Sequence, residues 1–153
     1  MAIRITQDKI SSVTVTPPPN AYGSVSGYTS GGNQNVSPGE NTIDKFPFAA
    51  DANATDVGDL TVGAHIPAGQ SSSESGYTSG GRAIPSAVAA TIDKFSFAAD
   101  GNATDVGDLT AGREYLSGQS SPSHGYTSGG ETDIIDKFSF AADGNATDVG
   151  DLT

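Results

Sequence analysis

The sequence predicts an all-β protein assembled from repeated units. Three observations lead there. The phrase GYTSGG stands at 27–32, again at 76–81 and again at 125–130. The 153 residues include 20 Gly and 8 Pro, with many Ser, Thr, Asn and Asp, and only 35% are apolar. Such a composition suits short strands joined by many turns. No apolar period of the helical kind persists along the chain. The nearest helical candidate, IPSAVAAT at 84–91, is short and carries a proline near its start.

The repeat divides the chain into an N-terminal segment, 1–20, and three units, 21–61, 62–110 and 111–153. IDKF begins at 43, 92 and 135, and FAADxNATDVGDLT follows at 48–61, 97–110 and 140–153. The period is about 49 residues and shortens in the last unit. The missing residues fall in one loop, between GYTSGG and IDKF, which also differs in sequence: 33–42, 82–91 and 131–134. A second stretch differs at constant length, 62–68 against 111–117. Near-identical copies with two diverged windows describe a fixed frame that carries changeable surfaces.

In chain order, AIRITQ and SSVTVT alternate as strands do, and the PPP at 17–19 makes a stiff spacer. Residues 1–20 are therefore expected to form an extended arm that docks on a neighbouring subunit or a larger assembly. GYTSGG reads as a strand closing on a double glycine. DKFSFAAD alternates, with Phe95 and Phe97 on one face and Lys94 and Ser96 on the other. Pro47 stands in the first copy of this strand. Proline cannot donate to a ladder, so that strand is expected at a sheet edge. DGNATDVGD is turn chemistry, and Val106 and Leu109 of VGDLT are candidate core residues. The remaining strand falls in the variable windows, giving three or four short strands per unit.

Tyr77 with Gly80 and Gly81, followed by Phe95, Phe97 and Asp100, resembles a kelch-type propeller blade. The resemblance spans 24–153 and implies about three kelch-like blades. It departs from the family in one respect: the tryptophan that normally follows the Asp turn is absent, and VGDLT stands in its place. The phrases IDKFSFAADGNATDVGDLT and GYTSGG also resemble repeats in structural and tail proteins of marine bacterial viruses. That resemblance implies a virion or extracellular location. A β-solenoid or a fibre of stacked repeats uses the same short strands and glycine turns and remains the alternative. Propellers close with more than three blades. A homo-oligomer is therefore expected: a ring completed by two chains, or a non-closing stack.

Composition narrows the function. The net charge of −11 disfavours nucleic acid and anionic membrane surfaces. Cysteine is absent, so disulfides, thiolate nucleophiles and Cys-ligated zinc are excluded. No apolar run is long enough for a helical membrane span, and the N-terminus has no signal-peptide core. Enzymatic signals are weak. His65 and His124 occupy non-equivalent positions, and no G-x-S-x-G elbow occurs. The expectation is a non-enzymatic structural virion protein, a tail fibre or tail-associated subunit. Its variable windows would meet a host surface or glycan, with Arg82, Arg113 and Tyr115 as exposed contacts, and residues 1–20 would meet other virion proteins. An architectural filament without a specific ligand is the alternative.

No cofactor is required by this reading. The acidic turns are the candidate metal site: Asp51, Asn53 and Asp56, then Asp100, Asn102 and Asp105, then Asp143, Asn145 and Asp148. Closely spaced oxygen ligands can hold Ca²⁺. The competing role for the same side chains is turn capping of nearby backbone N–H groups.

Overall fold

A computed structural model describes residues 25–32, 40–83 and 87–153. The arm expected at 1–20 and most of the window 33–42 lie outside the described residues. The strands are β1 (Ser26–Ser30), β2 (Thr42–Pro47), β3 (Thr55–Asp59), β4 (Ala68–Ser71), β5 (Ser75–Ser79), β6 (Arg82–Ala83), β7 (Ala87–Val88), β8 (Thr91–Ser96), β9 (Thr104–Asp108), β10 (Leu116–Ser120), β11 (His124–Gly129), β12 (Ile134–Ser139) and β13 (Thr147–Asp151). No helix occurs among the described residues, and the segment closest to helical composition contributes β7.

Each unit is a small antiparallel meander. The orders are β1-β2-β3, β4-β5-β8-β9 and β10-β11-β12-β13, with β6 and β7 pairing as a separate hairpin. None of these sheets closes into a barrel. Each GYTSGG strand pairs with the following IDKF strand in the same register. Tyr28 lies opposite Lys45, Tyr77 opposite Lys94 and Tyr126 opposite Lys137. The last strand of each unit carries one extra residue against its partner, a bulge beside Ile43, Ile92 and Ile134.

The position of Pro47 corrects one sequence-based expectation. Strand β2 is central in its sheet, between β1 and β3. Pro47 is its last residue, opposite Ser26 on β1 and beyond the final β2–β3 pair, Lys45 with Thr55. Its missing N–H faces no partner strand, so a central strand tolerates it there.

The core sits between the units. One cluster joins Ile43 and Leu60 of the first unit to Phe95 and Ala103 of the second, with Tyr28, Val57 and Phe97 packed around it. The next joins Tyr77, Ile92 and Leu109 to Phe138 and Ala146, with Val106 and Phe140 around it. A strand turns alternate side chains to opposite faces. In β8 and the residue after it this sends Asp93, Phe95 and Phe97 towards the preceding unit, where Tyr28 and Thr61 meet them. Lys94 faces the following unit, where it meets Asp143. The middle sheet is thus buried on both faces, one for each neighbour.

Candidate functional site

The meander decides where the variable windows go. Strand β5 runs out to Gly80 and Gly81, and β8 returns from the far side of the 82–91 window. Strand β9 runs out the same way, into 111–117, and β10 returns. Both window types therefore emerge at one end of the sheets, and the turns at 72–74 and 97–103 emerge at the other.

At the variable end the windows touch one another. His65 and Arg82 exchange both backbone hydrogen bonds, at 2.9 and 2.8 Å. The Gly81 N–H donates to the Arg113 carbonyl at 2.8 Å, and the Arg113 N–H donates to the Ala89 carbonyl at 3.2 Å. The Arg82 guanidinium forms an ion pair with Glu114, which holds the arginine above its usual pKa. Three non-glycine residues adopt left-handed backbone here: Ile66 (φ 55°), Tyr115 (φ 59°) and Glu131 (φ 66°). Such conformations cost of order 1–3 kcal/mol each and concentrate at functional sites. Val62, Val88 and Tyr115 are exposed at the same end, Tyr115 by 57%.

The three residues expected as surface contacts separate. Tyr115 projects into solvent, and Arg82 stays partly exposed beside Glu114. The expectation of exposure is corrected for Arg113, which is only 4% exposed. Its Nη2 donates to Asp136 at 2.5 Å, and its Nη1 donates to the carbonyls of Gly129 and Ile134 at 2.8 and 3.1 Å. The carboxylate and carbonyls take up both Nη groups of the buried guanidinium, and its Nε has no partner among the described residues. Arg113 is a structural tie within the third unit.

The acidic turns resolve into caps and inter-unit bonds. Asp56, Asp105 and Asp148 each accept from the N–H two residues on, at Gly58, Gly107 and Gly150, at 3.0–3.1 Å. Asn102 and Asn145 accept from Asp59 and Asp108 of the preceding unit, each at 3.1 Å. Asp100 and Asp143 receive Lys45 and Lys94 of the preceding unit, each at 2.9 Å. Each of these lysines is held above its ordinary pKa, first by the hydrogen bond to its carboxylate. Asp51 and Asn53 stand in the corresponding turn of the first unit. Among the described residues no three His, Asp or Glu side chains gather as a metal cluster.

Sequence reasoning missed the buried aspartates of IDKF. Asp93 accepts the Thr61 hydroxyl at 2.7 Å and the Thr61 N–H at 2.8 Å. Asp136 accepts the same pair from Thr110, at 2.7 and 3.1 Å. The signal was present, since both the Asp of IDKF and the Thr of GDLT recur in every unit. Their meeting across two units could not be read from spacing.

No protein-family model matches the chain, and no curated protein matches it.

Proposed function

We propose that the chain is a non-enzymatic structural protein of a virion, a tail fibre or tail-associated subunit, that presents its variable end to a host-surface glycan. The observation that carries the presenting role is the gathering of both variable windows at one end of a constant frame. An exposed aromatic and a half-exposed arginine at that end suit sugar rings and hydroxyls. The virion and extracellular assignment rests on the resemblance of the repeated phrases. In this reading the units are kelch-like propeller blades, each an up-and-down meander stacked face to face on the next. No step in it needs a cofactor.

The test is binding of the labelled full chain to a glycan array and to intact marine bacterial cells. Tyr115→Ala should reduce binding about ten-fold, in the range of a lost interface anchor. Glu74→Ala, at the opposite end, should leave it unchanged. Exchange of windows 82–91 and 111–117 for unrelated loops without effect on binding would end the recognition reading. An architectural filament subunit without a ligand is favoured by a different observation, the repetition of the same contacts at each inter-unit junction. It predicts no binding on either surface.

A further inference from the structure

The two junctions within the chain are built from one set of residues, and the outer faces of the first and third units carry the two halves of that set. At each junction a tyrosine packs on two phenylalanines. Tyr28 lies 5.5 and 5.0 Å from Phe95 and Phe97, and Tyr77 lies 5.5 and 4.8 Å from Phe138 and Phe140. At each a lysine reaches an aspartate, a terminal threonine caps a buried aspartate, and an asparagine accepts from the strand before it. Serine meets threonine across the junction at Ser30–Thr78 and Ser79–Thr127, at 2.6 and 2.8 Å.

The third unit holds the donating half with no receiver among the described residues: Tyr126, Ser128, Lys137, Asp151 and Thr153. The first unit holds the receiving half: Thr29, Asp44, Phe46, Phe48, Asp51 and Asn53. Burial marks both faces as incomplete. Leu60 and Leu109 are 3% and 4% exposed within junctions, whereas Leu152 in the same position is 47% exposed. Phe48 is 59% exposed, whereas Phe97 and Phe140 pack beneath tyrosines. A Cβ on Gly58 or Gly107 would come within 2.3 or 2.4 Å of the next unit's carbonyl at Gly101 or Gly144. Gly150 keeps the same kind of backbone, φ 146°, with open space in front of it. The one residue difference that faces this gap, Ala52 for Gly101 and Gly144, is compatible, because a Cβ at either glycine meets nothing.

We propose that the outer face of the third unit docks head-to-tail on the outer face of the first unit of a second copy of this chain. The contact reproduces the internal junction: Tyr126 on Phe46 and Phe48, Lys137 to Asp51, Thr153 to Asp44, and Leu152 covered. The interface is heterologous, since each copy offers one half to each neighbour. This inference is independent of the host-binding reading, because the docking faces are the flat sides of the sheets and the glycan surface is their variable end.

The test uses two variants of the full chain, each blocked on one face: Leu152→Asp and Phe48→Glu. Light scattering from micromolar to millimolar concentration should show the unmodified chain associating, as a closed pair or as growing oligomers. Each variant alone should lose association by about 10- to 100-fold, the worth of one buried large apolar side chain. Mixed in equal amounts, they should form a one-to-one heterodimer and nothing longer, because each supplies the face the other lacks. A variant that failed to fold could not do so, which separates misfolding from blocked docking. A monomeric unmodified chain throughout the range would overturn the proposal, as would a Phe48→Glu variant that still formed homodimers, since those would need like faces to pair.

Discussion

At Asp93 and Asp136 the same residue type, equally recurrent in sequence, has two different surroundings. Asp136 is paired with Arg113, while the corresponding partner of Asp93 is Ala64, and a small cavity lined by Ala64, Gly80, Thr91 and Asp93 takes the place of the guanidinium. Burial pushes the Asp93 carboxyl above its ordinary value, against the lowering effect of Thr61. A raised folded value means that the native state binds the proton more tightly than the unfolded chain does. Stability from this group is therefore highest below the ordinary carboxylate value and falls as pH rises towards the raised one. Ala64→Arg should fill the cavity, bring Asp93 down in a carboxylate NMR titration, and raise stability by ~1 kcal/mol in urea unfolding. A loss of stability would show that the space is too small for the side chain. Arg113→Ala should cost about 3 kcal/mol, the low end for breaking a buried pair, because Thr110 still caps Asp136 as Thr61 caps Asp93. At the turns, Asp56, Asp105 and Asp148 act as caps, so chelation should leave the melting temperature unchanged. A rise in melting temperature with added calcium would instead assign those side chains to a metal.

At the scale of the strand, each letter of GYTSGG has its own reason. The first glycine lies under the phenylalanine of the paired strand: a Cβ at Gly76 would come within 2.2 Å of the Phe95 ring, and Gly27 and Gly125 stand in the same relation to Phe46 and Phe138. The tyrosine reaches across to the next unit's phenylalanines. The Thr-Ser pair joins neighbouring units by hydroxyl contacts, and the double glycine takes positive φ, 64° and 96° at Gly80 and Gly81. Gly76→Ala should therefore displace the ring and cost about 1–3 kcal/mol, as overpacking does. Tyr77→Ala should cost about 3–5 kcal/mol by opening a cavity over Phe138 and Phe140. Thermal unfolding of the two variants checks both values, and an unshifted midpoint for Gly76→Ala would mean that the ring moves without cost.

Over the whole molecule, stability is a sum of junctions rather than of units, because the apolar clusters lie between sheets. The middle unit has a junction on both faces, whereas the first and third have one each among the described residues. Hydrogen exchange at monomeric concentration should therefore find the slowest amides in β5 and β8, with faster exchange in β1, β2, β12 and β13. Uniform protection along the chain would mean that the three units open as one block.

The all-β class, the repeated frame, the strands at GYTSGG and IDKF, and the core roles of Leu109 and Val106 are legible in the residues alone. These follow from local rules: period-two alternation, turn-forming residues and self-similarity act over a few residues each. Two expectations that needed knowledge of neighbours did not hold. Pro47 marks a sheet edge by local rules, but a strand's place in a sheet depends on which residues lie opposite it. The variable window around Arg113 predicts exposure, but whether a residue is buried depends on what folds over it. The candidate site was half legible in the same way. The variable windows could be found by comparing copies, and Tyr115 and Arg82 did reach that end of the molecule. That the windows meet one another, that acidic turns serve as inter-unit partners, and that Asp93 lacks the cation Asp136 has, emerges only when the chain is folded. Those facts join residues 17–55 positions apart, and nothing in a strand's local pattern specifies its partner at that distance.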